Sequence, residues 1–240
     1  MALDMLVVGP HPDDVELACG GTIITHTDKN YRVGIVDLTD AAMSTRGAPD
    51  TRAHEADTAA NLMGVTERIR LGFKEGALEC KVENLYPLVS VIRSTKPQVV
   101  LAPYWDDRHP DHGDTSRLVQ NACFWAGVPK YGDNQHPHRP QRVLFYFLHW
   151  MGPVSMVVDI SNTFDRKLAA IRAYHSQFYA RPGDSAFTYI SRPEFLEKVI
   201  NRARYYGGLI GAEYGEPFHV RDMHREPDLI EWVNRQGLTG

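Results

Sequence analysis

Three features of this sequence predict an α/β fold, a Rossmann-like three-layer sandwich with a mostly parallel sheet and antiparallel additions in its C-terminal half. Short apolar runs alternate with amphipathic segments of helical length through the first part of the chain. Two of those runs stop at near-identical polar clusters, His11-Pro12-Asp13-Asp14 and His109-Pro110-Asp111-His112. Later, Val143 to Leu148 and Met156 to Ile160 follow one another across a connection containing Gly152-Pro153, the pattern of two neighbouring antiparallel strands.

Taken in order, Leu6-Val7-Val8 reads as a buried parallel strand that Gly9-Pro10 terminates. Val15 to about Lys29 follows as a helix with Leu17, Gly20, Gly21 and Ile24 on one face, where glycines indicate close packing on the sheet. Arg32 to Leu38 is the second strand, and the polar loop 41–50, with Ser44-Thr45-Arg46-Gly47, leaves the same sheet edge as His11. A helix from Thr51 to Met63, a short strand from Arg68 to Leu71, and a helix from about Asn84 that Pro97 ends come next. Gln98 to Pro103 is then a further buried strand, running into the second polar cluster and a helix from Thr115 to Ala126. Loop 128–141 reads as a surface flap, Asn162 or Thr163 caps a helix with Phe164, Leu168, Ile171 and His175 on its face, and Glu194 to Tyr206 is the last helix, stopped by Gly207-Gly208. The tail from Leu209, including Glu213 to Phe218, reads as surface wrapping or a subunit contact.

The chain is 240 residues long and 43% hydrophobic, enough for one domain spanning 1–240 with a sizeable core. A net charge of −4, with both signs mixed along the chain, argues against a nucleic-acid surface and points to a small-molecule partner. Cys19, Cys80 and Cys123 form no CxxC pair, so neither a disulfide framework nor a cysteine zinc knuckle is expected, and a reducing cytoplasm fits. No basic leader opens the chain and no apolar run reaches membrane-spanning length, so neither secretion nor a membrane partner is expected.

His11 and Asp14 are three residues apart, which puts them on one side of a starting helix with Asp13 displaced around the axis. Either cluster alone could be a helix cap, with aspartates complementing the dipole. Two such clusters delivered by parallel strands to one sheet edge make chance capping a poor account. Two histidines and one carboxylate hold a metal with positions open, and zinc so held keeps a reactive water. Asp13 can take that water's proton, and whichever of His109 and His112 does not bind metal can act as acid or oxyanion partner. Spacing leaves that choice open. The same ligand types also make the facial triad of non-haem iron oxygenases, which the strand–helix alternation disfavours. A nucleotide-binding Rossmann module is disfavoured because the first strand lacks G-x-G-x-x-G.

The HPDD and HPDH motifs resemble those of the PIG-L/LmbE-like zinc deacetylases of N-acetylglucosamine compounds, although Gly9-Pro10 stands where that family often has alanine before its histidine. The resemblance implies one Zn2+ per chain, with Fe2+ as another candidate, held by His11, Asp14 and His112. It implies Asp13 as base, His109 as acid or oxyanion partner, and Asp111 as an orienting hydrogen-bond group. Ser44 to Gly47, Arg52 and Arg202 to Gly207 look most like the bacillithiol-synthesis branch, whose substrate is N-acetylglucosaminyl L-malate; chitooligosaccharide and GlcNAc-inositol substrates are the alternatives. Arg46 and Arg52 are the candidate clamps for a malate carboxylate. Tyr205, with Tyr104 and Trp105, is a candidate for stacking on a sugar ring. The resemblance further implies a homo-oligomer, often a hexamer.

Overall fold

A computed structural model of the chain describes residues 2–132, 135–178, 186–223, 228, 230, 231 and 234. Its elements run β1 (Met5–Gly9), α1 (Asp14–Thr27), β2 (Val33–Thr39), α2 (Pro49–Met63), β3 (Glu67–Phe73), α3 (Val82–Thr95), β4 (Val99–Pro103) and α4 (Pro110–Ala126). They continue with β5 (Arg142–Tyr146), β6 (Met156–Asp159), α5 (Phe164–Arg172), α6 (His175–Phe178), α7 (Pro193–Leu209) and β7 (Gly215–Val220).

The strands form one seven-stranded sheet in the order β3-β2-β1-β4-β5-β7-β6. The first five are parallel, and β7 runs antiparallel to both β5 and β6. Strand order reverses between β1 and β4, so the carboxyl ends of these two neighbours flank a crevice at the topological switch point. Alternation along the strands feeds two cores. Met5, Val7, Val33 and Ile35 face a layer that includes α1, α5 and α7, whereas Leu6, Val8, Val36 and Leu38 face α3 and α4. With both faces covered, the strands read as apolar runs rather than as alternating ones. Among the described residues, no helix is long and apolar enough to cross a membrane.

The C-terminal half departs from expectation. β5 and β6 are not neighbours, because β7 lies between them. This strand comes from the segment expected to wrap the surface; Glu216 and Pro217 disguised it, since a charge and a missing donor both argue against an interior strand. The charge has a partner. Lys167 Nζ donates to Glu216 Oε1 at 2.5 Å, and the backbone N–H groups of Gly21 and Thr22 donate to the same carboxylate at 2.9 and 2.7 Å. Those N–H groups are free because α1 breaks at Cys19 (φ −139°, ψ 21°). In an unbroken helix Gly21 N–H would bond Leu17 C=O, which here accepts from Lys167 Nζ and Arg202 Nη2, both at 3.1 Å. Gly21 also permits the close approach of α1 to the end of β6, since a Cβ there would lie 2.8 Å from Ile160. Two helix ends also shift: α4 begins at Pro110 rather than Thr115, and α7 runs through Gly207-Gly208 to Leu209.

Removing one partner of a buried ion pair strands the other. Glu216→Ala should therefore lower the unfolding free energy by about 3–5 kcal/mol in urea denaturation; a loss under about 1 kcal/mol would show that β7 and α1 do not depend on this junction.

Candidate metal centre

Gly9 and Pro10 end β1, and the chain turns into α1 through Asp13, whose φ of 106° is a conformation that L side chains rarely adopt. Holding a non-glycine residue there costs about 1–3 kcal/mol, a strain characteristic of functional sites. Asp13 occupies the N-cap position of α1 yet makes no side-chain cap bond. Its carboxylate instead lies 3.1 Å from Arg52 Nη2, and Arg52 also donates to Pro12 C=O and to Ser44 Oγ. The helix-cap account of Asp13 therefore fails on geometry.

His11, Asp14 and His112 are all buried and converge. Asp14 Oδ2 lies 3.1 Å from His11 Nδ1 and 3.5 Å from His112 Nε2. The far nitrogen of each imidazole is held by a second carboxylate: His11 Nε2 meets Asp111 Oδ2 at 3.2 Å, and His112 Nδ1 meets Asp107 Oδ1 at 2.9 Å. Carboxylates that fix tautomer and ring direction in this way are the usual outer support of metal-binding histidines. Two other groupings have ligand atoms equally close, His11 with His109 and Asp111, and Asp107 with His112 and His149. Their carboxylates already serve elsewhere. Asp107 accepts from the N–H groups of His109, His149 and Trp150 at 3.1, 2.8 and 3.2 Å, and Asp111 accepts from Gly76 N–H at 3.0 Å. Asp14 accepts one backbone N–H, that of His11 at 3.1 Å. All three groupings offer two imidazoles and one carboxylate, a donor set that fits a divalent metal with an open position, and that of His11, Asp14 and His112 is the one buried throughout.

Electrostatics set these groups apart from ordinary ones. Burial opposes a charged His11, but hydrogen bonds with Asp111 and Asp14 carry its pKa up to about 10. Burial likewise opposes ionised Asp14, yet His112 and His11 hold it well below the usual carboxylate range. Asp13 goes the other way: burial raises it to about 7 although Arg52 opposes the rise. Asp107 is brought down to about 2 despite burial, by its bonds with His112 and the backbone. His109 Nδ1 accepts from Asp111 N–H at 3.3 Å, so the neutral ring carries its proton on Nε2. Burial, then His11 and His112, lower its pKa.

A cleft of about 290 Å3 opens above these residues, bounded by the loop after β2, by His149 and by Thr188-Tyr189-Ile190. Arg52 lines it, paired with Asp13. Arg46 and Tyr205 are not brought to it. The Arg46 guanidinium donates to the C=O groups of Ser176 and Ala186 at 2.8 and 2.7 Å, tying the loop to α6, and Tyr205 is 63% exposed on α7. Tyr104 and Trp105 pack in the core on the α3/α4 side of the sheet. Sequence reasoning passed over His149, whose ring stacks on that of His112 with centroids 5.5 Å apart, and over Asp107 and Glu75. The signal for His149 was present, since it follows the apolar run of β5 as His109 follows that of β4. Glu16, an acidic charge in the first turn of α1, is buried against Arg68 at 2.6 Å.

Residues 6–123 match the PIG-L family, described as GlcNAc-PI de-N-acetylase. A diacetylchitobiose deacetylase from Thermococcus kodakarensis is 32% identical over 227 residues, covering 88% of this chain and 80% of that protein. A probable N-acetyl-alpha-D-glucosaminyl L-malate deacetylase 2 from Bacillus anthracis is 27% identical, covering 72% of this chain and 81% of the other. The crystal structure of the conserved protein TT1542 from Thermus thermophilus superposes with a TM-score of 0.85 at 36% identity, covering 94% of this chain and 98% of that one.

Two outcomes are expected of metal titrations. Metal must displace the His11 proton, so affinity should fall by about tenfold for each pH unit lost below that ionisation, with proton release visible by calorimetry in buffers of different ionisation enthalpy. Asp107→Asn, which removes none of the three proposed ligands but loosens His112, should weaken binding by about 10–100-fold in chelator competition. An affinity independent of both pH and Asp107 would place the metal elsewhere.

Proposed function

The chain belongs to the PIG-L family, and we propose that it is a metal-dependent amidohydrolase that removes the N-acetyl group from an N-acetylglucosamine derivative, releasing acetate and a free amine. The observation that carries this reading is the pairing of a buried His11/Asp14/His112 grouping with an adjacent, strained, ionisable Asp13 that caps nothing. A zinc ion, or Fe2+ in its place, held by His11, Asp14 and His112 would supply a water ionising near pH 7 and would polarise the acetamide carbonyl. Asp13 is the base. Burial places its pKa near neutrality, where a carboxylate accepts a proton and still returns it to a leaving amine. Arg52 holds that carboxylate in position and keeps part of it ionised. His109, with its proton on Nε2 and a lowered pKa, is a neutral donor for the oxyanion that develops as the carbonyl is attacked. Asp111 orients His11 through its carboxylate and His109 through its backbone N–H.

For the substrate we take N-acetylglucosaminyl L-malate, as in bacillithiol biosynthesis, supported by the Bacillus anthracis relative. The three unpaired cysteines suit the reducing cytoplasm in which that reading places the enzyme. The Thermococcus kodakarensis relative, at higher identity, favours a second substrate reading, a chitobiose-type N-acetyl sugar. Acetate release from the malate glycoside and from diacetylchitobiose, compared side by side, separates the two.

Asp13→Asn keeps the shape of the side chain but not its basicity. The variant should bind metal stoichiometrically by elemental analysis and lose about 10²–10⁴ in kcat for acetate release. Near-native turnover by the metal-loaded variant would remove Asp13 from the mechanism.

A further inference from the structure

The two ends of an N-acylated amino sugar ask different things of a protein: the sugar's hydroxyls must find hydrogen-bond partners, whereas the acyl chain presents only hydrocarbon. Two adjoining cavities meet those needs separately. The cleft above the metal centre offers hydrogen-bonding side chains in Ser44, Thr45, Glu75, Gln177 and Thr188. Beside it lies a cavity of about 140 Å3 whose lining includes Leu17, Leu148, Met151, Phe195 and Val199.

The cations of that lining are already engaged. Arg202 donates to the C=O groups of Phe147, Leu148 and Leu17 at 3.2, 2.7 and 3.1 Å, and the carboxylates of Glu216 and Asp107 bear on its charge. Lys198 Nζ bonds the Tyr189 hydroxyl at 2.9 Å. With their polar ends held in this way, both side chains line the cavity with their hydrocarbon stems.

Leu17, His149 and Tyr189 line both cavities, and the first two stand at the metal centre itself. Leu17 N–H donates to Asp13 C=O at 3.0 Å, so one turn of α1 brings its side chain to the side of the helix that carries Asp13 and Asp14. The His149 ring lies parallel to that of His112, with 8° between the planes and centroids 5.5 Å apart. An acyl carbonyl reacting among His11, Asp14 and His112 therefore has the side cavity next to it. An acetyl group, with its single methyl, leaves that space unfilled. A dry cavity of about 150 Å3 with an aliphatic and aromatic lining takes up a benzene molecule, so this one has room for a chain of several carbons.

We propose that the side cavity is an acyl-chain pocket, and that the enzyme removes N-acyl groups longer than acetyl, propionyl and butyryl among them, from its amino sugar. The inference rests on the amidohydrolase reading and goes beyond it on the acid side of the scissile bond. The chemistry is the same hydrolysis. The oxygen of water bonds the acyl carbon, the C–N bond breaks, one proton of the water passes to the departing amine, and a short fatty acid is released in place of acetate.

The test compares kcat/KM for glucosaminyl L-malate and for chitobiose bearing N-acetyl, N-propionyl or N-butyryl groups. The ratio of butyramide to acetamide is taken on one enzyme sample, so the folded fraction cancels. Burying one methylene contributes about fourfold, so this ratio should be about ten in the wild type, with the propionamide between the two. Met151→Trp and Val199→Phe, which narrow the cavity, should each cut the ratio severalfold. Met151 is 42% exposed, so Met151→Trp carries the test alone if Val199→Phe fails to fold. A wild-type ratio of one or less with the acetamide turned over, or a ratio that Met151→Trp leaves unchanged, overturns the acyl-pocket assignment and leaves the deacetylase reading intact. Hydrolysis of no N-acyl form of either scaffold overturns the parent reading, and the pocket assignment with it.

Discussion

The parallel pairing of β1 with β4 is the constraint on which the site depends. Met5, Leu6 and Val7 stand opposite Val99, Val100 and Leu101, which brings the ends of two strands nearly a hundred residues apart in sequence into one crevice. Neither strand end makes a site alone. β1 brings one imidazole and two carboxylates, β4 brings two imidazoles and the carboxylates of Asp107, which holds His112, and Asp111, whose hydrogen bonding with His11 joins the two sets. Everything else in the fold serves to keep that register, through cores on both faces of the sheet and a C-terminal strand that locks the break in α1.

Charge balance around the crevice explains why so many ionisable groups are buried together. Each has a named partner: Asp13 with Arg52, His112 with Asp107, Glu16 and Asp37 with Arg68, Glu216 with Lys167. Buried ion pairs of this kind are weak sources of stability, because desolvation offsets most of their attraction. Their use here is positional. Arg68 joins β3 to β2 and to the first turns of α1, so the helix that carries Asp14 is aligned by charge as well as by packing. The strained backbone at Asp13 is tolerated on such a frame and frees its carboxylate from capping.

The parallel half of the sheet was legible because its signals are local: apolar runs of strand length, Gly-Pro stops, and polar clusters placed where a helix starts. The two His-Pro-Asp clusters were legible for the same reason, each being a contiguous motif. What escaped was non-local. Glu216 looks unfit for an interior strand until Lys167 and the broken turn of α1 are in place. His149 looks like a bystander until β5 pairs with β4 and stacks it on His112. Arg46 and Tyr205 were drawn towards the cleft by their neighbours in sequence, whereas a bond to Ser176 and the exposed face of α7 take them elsewhere. Spacing did not separate His109 from His112, because their surroundings are non-local: His109 Nδ1 accepts from a backbone N–H, whereas His112 Nδ1 meets a carboxylate, the environment that supports the proposal of His112 as ligand.

The central claim is that the two strand ends build one metal site from His11, Asp14 and His112. Anomalous diffraction from a crystal of the zinc-loaded protein, collected on either side of the zinc edge, tests it directly. The account requires one strong peak per chain, bonded to His11 Nδ1, Asp14 Oδ2 and His112 Nε2. A peak held instead by Asp107, His112 and His149, or by His11, His109 and Asp111, would contradict it.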